Sequence, residues 1–110
     1  MSSKGSPHAR FRRALASGDP LLIRTAAAEV GHIDLGDALA VCRALHAADD
    51  PAYERAAVRF LARFCLEGGP DRLSDVDAAL RALAAGGRGE RAADFRRVWR
   101  RLGLPVDALG

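Results

Sequence analysis

Aromatic residues are scarce: four Phe, one Tyr and one Trp, 5% of 110 residues. A core with so few rings is expected to be built largely from Ala, Leu and Val, and a ring platform for stacking nucleic-acid bases is not expected. Lysine is nearly absent, since sixteen of the seventeen basic residues are arginine. That skew, with so much alanine, suggests a GC-rich coding sequence as much as a function. Two cysteines are too few for a disulfide framework. No apolar run approaches the roughly 20 residues that cross a bilayer. The opening MSSKGSPHAR lacks the apolar stretch of a secretion signal. The expected location is the cytoplasm, with no membrane partner.

Three histidines leave little for acid–base chemistry. His32 lies near Asp34, but spacing pairs no Ser or Cys nucleophile with them. The stretch GGRGE at 86–90 lacks the Lys-Ser/Thr of a phosphate-binding loop. Cys42 and His46 are four apart and share a helix face, which is half of the usual four-ligand zinc site. With a hairpin turn near residue 50, Cys42 and Cys65 lie at different depths, a mismatch of roughly 10 Å at 1.5 Å per residue. That argues against a shared metal or a disulfide and leaves buried thiols. No catalytic residue, metal or cofactor is expected, and the chain is expected not to be an enzyme.

What is present is helix and its punctuation. Apolar residues make up 49% and charged residues 28%, the balance of a globular domain. Ser6-Pro7 starts a helix that Ser17-Gly18 ends. Asp19-Pro20 starts a second, ended by Gly31. Asp34 caps a third, with Asp37 three residues on. Asp50-Pro51 starts a fourth that runs to Glu67. Ser74 caps a fifth, with Asp75 and Asp77 where the helix dipole favours acids, and Gly86-Gly87 breaks it. The sixth spans about Gly89 to Leu102, stopped by Gly103 and Pro105. Residues 1–5 are expected to be a disordered tail, 6–103 one helical domain and 104–110 a C-terminal tail.

The pattern repeats. Residues 13–27 read RALASGDPLLIRTAA, 43–57 RALHAADDPAYERAA and 81–93 RALAAGGRGERAA. Each copy has Arg-Ala-Leu near the end of one helix, a turn, then Arg and two Ala early in the next. Two-helix units at this period are the signature of a stacked array. Asp19-Pro20 with Arg24, and Asp50-Pro51 with Arg55, resemble the second helix of HEAT-type repeats, especially the short class first noticed in bilin lyases. The resemblance implies a turn Asp that caps the helix. It also implies an Arg, four residues after Pro, that packs along the stack and meets an acid of a neighbouring repeat. The third copy keeps Arg91-Ala92-Ala93 but has Gly86-Gly87-Arg88-Gly89 in place of Asp-Pro, as an adapted cap would. The expected fold is all-α: about six helices in three antiparallel hairpins, stacked as a short HEAT-like array.

Net charge is +3, unevenly placed. Residues 1–13 and 88–102 are basic, while 14–87 carry seven Arg against eleven acids. On the sixth helix, Phe95, Val98, Trp99 and Leu102 fall on one side, and Arg96, Arg97, Arg100 and Arg101 on the other. Those four arginines either form a binding face or are simply solvated. On the fourth, Arg55, Arg59 and Arg63 stand in one row, where like charges repel by a few tenths of a kcal/mol. Such a row needs acids, with Glu67, Asp34, Asp37, Asp75 and Asp77 as structural candidates, or an external anion. These seven arginines are the candidate partner-binding residues. The expected function is a small non-catalytic adaptor that engages an acidic protein. The alternative is a module that grips nucleic-acid backbone with the basic N-terminal segment and last helix. Two exposed array ends leave room for self-association.

Overall fold

The computed structural model describes residues 6–105; the expected N-terminal tail and residues 106–110 lie outside the described residues. The described residues form six helices: α1 (Pro7–Ser17), α2 (Pro20–Val30), α3 (Leu35–Ala47), α4 (Tyr53–Glu67), α5 (Leu73–Ala84) and α6 (Gly89–Arg101). Sequential helices pair as three antiparallel hairpins, α1/α2, α3/α4 and α5/α6, and the hairpins stack. The described residues contain no strand.

Local chemistry sets most boundaries. The Ser6 hydroxyl accepts from the Ala9 N–H at 3.0 Å. Asp19 accepts from the Leu21 and Leu22 N–H groups, and Asp34 from that of Asp37 at 2.7 Å. Gly18 takes φ 71°, a left-handed conformation that lets α1 reverse into α2 within two residues. Two starts differ from the sequence reading. Asp50 accepts from the Ala52 N–H, which closes a turn over Pro51-Ala52, so α4 begins only at Tyr53. Helix α5 begins at Leu73 with no side-chain cap; Ser74 does not cap it. Asp75 instead turns back to accept from the Asp71 N–H at 3.3 Å, which ties the preceding loop to the first turn.

As the composition leads one to expect, Ala, Leu and Val make up ten of the seventeen buried apolar residues among the described residues. All four Phe and the single Trp are almost wholly buried. Phe60 and Phe64 on α4, four apart, face Phe95 and Trp99 on α6, also four apart. Phe64 and Phe95 meet edge to face at 5.2 Å, Phe95 and Trp99 likewise at 5.7 Å, and Phe60 stacks on Trp99 at 6.3 Å. The Trp99 indole N–H donates to the Pro105 carbonyl at 2.6 Å. Leu104 packs on the same cluster, so the sequence just beyond α6 belongs to the folded unit. A second cluster, of Phe11, Ile23, Val41 and Leu45, joins the first hairpin to α3.

The α5/α6 turn is clamped from below. The Tyr53 hydroxyl donates to the Leu83 carbonyl, and the His46 ring meets Tyr53 edge to face at 4.9 Å. His46 lies directly over Gly86, where φ is +74° and a Cβ would enter the imidazole ring. The two glycines that replace Asp-Pro here let the turn lie flat against α3.

Candidate functional site

Pairing of charges decides which arginines are open to a partner. Arg10 meets Glu29, Arg12 approaches Asp37 at 3.9 Å, and Arg81 meets Asp77. Arg63 binds Glu67 through two bonds of 2.8 and 2.9 Å, the same-row partner expected from the sequence. That guanidinium holds the Glu67 carboxyl below its ordinary range. Of the acids expected to serve the row, Asp34 caps α3, Asp37 faces Arg12, Asp75 faces Arg101 and Asp77 faces Arg81. None forms an ion pair with Arg55 or Arg59. The acidic middle of the chain is therefore largely neutralised from within. Among the described residues, Arg43, Arg55, Arg59, Arg72, Arg88, Arg91, Arg96 and Arg100 have no ion-pair partner.

The repeat explains why Arg55 is among them. Arg24, four residues after Pro20, reaches the turn aspartate of the next hairpin, Asp50, at 3.6 Å. Arg55 holds the same place after Pro51. The turn that follows it in the stack, at 85–88, is Ala-Gly-Gly-Arg and contains no acid.

Arg24, Arg55 and Arg59 line one hollow of about 410 Å³ between α2 and α4. Its floor is apolar: Ala27, Ile33, Val41, Leu45, Ala52 and Ala56. The structure thus joins two of the seven sequence-derived arginines to a third, Arg24, which the sequence reading had assigned only to stacking. Arg63, one turn beyond Arg59, is held by Glu67.

The four arginines of α6 separate. Arg97 pairs with Asp94 one turn back. Arg101 does not point freely outward: it bridges to Asp71 at 3.3 Å and to the buried carboxylate of Asp75. Arg96 is half-buried beside Arg43 and Gly87, and Arg100 is exposed. The Arg101 guanidinium, hydrogen-bonded to Asp75, holds that carboxyl below the ordinary aspartate range against the desolvation that would raise it. Asp75 therefore stabilises the fold fully above its unfolded pKa, and the contribution is lost as pH falls through the lower, folded value. Thermal unfolding of wild type and Asp75→Asn is expected to differ at neutral pH and to converge in acid. A gap that stays constant into acid would contradict this role for the pair.

The two thiols differ, contrary to the expectation that both are buried. Cys42 is 2% exposed, and burial pushes its thiol up to about 12; Cys65 is exposed. Only the thiolate reacts quickly. A colorimetric disulfide reagent is expected to titrate one thiol per native chain and two in denaturant; two fast thiols in the native state would contradict the burial of Cys42. No group of three or more His, Cys, Asp or Glu among the described residues is placed to hold a metal ion. No described helix is long and apolar enough to cross a membrane.

No known protein family, curated protein or solved structure matches the chain.

Proposed function

We propose that the protein is a non-catalytic binding module whose cleft between α2 and α4 receives an acidic, amphipathic helix of a protein partner. One observation carries this reading: Arg55 and Arg59 stand one turn apart, without an ion-pair partner among the described residues, over an apolar floor. A carboxylate row on the partner would meet the arginines through charge-assisted bonds. Its apolar side would cover the Ala, Ile, Val and Leu floor, the helix-in-groove mode of recognition. Nucleic-acid backbone fits less well, because phosphates would leave that floor uncovered and the Phe and Trp rings are buried where bases cannot stack on them.

A fluorescent peptide with Glu along one helical face and Leu along the other serves as a probe. By anisotropy it is expected to bind at least tenfold more tightly than a scrambled peptide of equal charge, with duplex DNA failing to displace it. If DNA binds instead, with a steep salt dependence, and the peptide does not, the nucleic-acid reading replaces this one.

A further inference from the structure

A second surface lies on an adjacent side of α4. Val58, Leu73 and Leu80 are 65%, 89% and 53% exposed; apolar side chains scattered singly over a surface carry no meaning, but a contiguous patch does. Their positions are ordered. On α4, Glu54, Val58, Leu61 and Cys65 recur at helical spacing and share a face. On α5, Leu73, Leu80 and Ala84 do the same. The two faces adjoin, because Val58, Leu61, Leu80 and Ala84 line one shallow groove of about 190 Å³. The apolar strip is roughly 16 Å long from Glu54 to Cys65 at 1.5 Å per residue. Asp77, the charged residue within it, is neutralised by Arg81 at 2.8 Å.

The ends of the strip carry opposite charge. Glu54 lines the groove at one end, and Arg72 opens α5 at the other. Neither has an ion-pair partner among the described residues. A surface that is acidic at one end, apolar along its length and basic at the other complements itself about a two-fold axis through its middle. Turned end for end, the strip meets a second strip, and each Glu54 meets the other copy's Arg72. We propose that this α4/α5 seam joins two copies of the chain. At about 100° per residue, Arg55 and Arg59 lie some 60–100° around α4 from Val58. The α2/α4 clefts stay open, and the pair presents two of them, so partners with two acidic helices would be held more tightly by linkage.

Equilibrium sedimentation of the full chain over a hundredfold dilution tests this. The expected mass is twice the 11.7 kDa of one chain at the concentrated end, falling towards one chain on dilution. Leu80→Glu and Leu73→Glu, both at exposed positions and checked for helix content by circular dichroism, are expected to remain single chains throughout. Glu54→Arg or Arg72→Glu alone is expected to raise the dimer dissociation constant about tenfold, and the double exchange to restore it. Single-chain mass for wild type at every concentration would overturn the proposal. So would dimers that survive both Leu→Glu changes, or a double exchange no better than either single one. Single-chain Leu80→Glu should still bind the Glu/Leu peptide, so failure at the seam and failure at the cleft are told apart.

Discussion

Replacing Trp99 with alanine is expected to lower the stability of the protein by about 3–5 kcal/mol. Its side chain is fully buried, stacks on Phe60 and meets Phe95 edge to face. Removing the ring leaves a cavity between the second and third hairpins and frees the Pro105 carbonyl of its hydrogen bond. A domain of this size has about 5–15 kcal/mol of stability in all, so the variant is expected to be marginal at physiological temperature. Trp99→Phe keeps a ring in place and loses the indole N–H, and the expected cost is about 1–2 kcal/mol. Urea unfolding followed by circular dichroism measures both. Equal losses for the two variants would show that the hairpins are not joined through this cluster.

The double change Arg55→Gln, Arg59→Gln is expected to weaken binding of the Glu/Leu peptide roughly 30-fold, on the order of 2 kcal/mol for two partly exposed charge pairs. Arg100→Gln, a change to an exposed arginine of α6, is expected to leave binding within twofold. The stability readout moves the other way. Arg55 and Arg59 repel each other at i, i+4, so their removal is expected to leave the stability unchanged or raise it by about a few tenths of a kcal/mol. Lost affinity with unimpaired folding separates a binding role from a structural one. If the double variant unfolds more easily, the arginines serve the stack.

Much of the fold was legible because the signals are local. Ser6, Asp19 and Asp34 cap the helices they precede, and Gly18 and Gly31 end the first two. The start of α5 was not legible, since Asp75 reaches back to Asp71 instead of Ser74 capping the helix, a choice that depends on Arg101 arriving from α6. The aromatic core was half legible. Two rings four apart on each of two helices mark one face per helix, but only the docking of α6 on α4 shows that the faces meet. The exposure of Cys65 had no local signal; it follows from which side of α4 the third hairpin covers. Part of the candidate site could be read from the repeat. Arg24 and Arg55 share a place after Asp-Pro, and the third turn lacks the acid that would answer Arg55. That Arg24 lines the same hollow as Arg55 and Arg59 depends on the angle between hairpins, which no short motif encodes.

If the protein acts as proposed, the α2/α4 cleft receives an acidic amphipathic helix. Backbone amide chemical-shift mapping, with the Glu/Leu peptide added stepwise to isotopically labelled protein, tests it most directly. The largest shifts are expected at Ala27, Ala28, Ala52, Arg55, Ala56 and Arg59, the residues around the cleft. Shifts centred on Arg96, Arg97 and Arg100 of α6 with the cleft silent would contradict it, as would no shift at low salt.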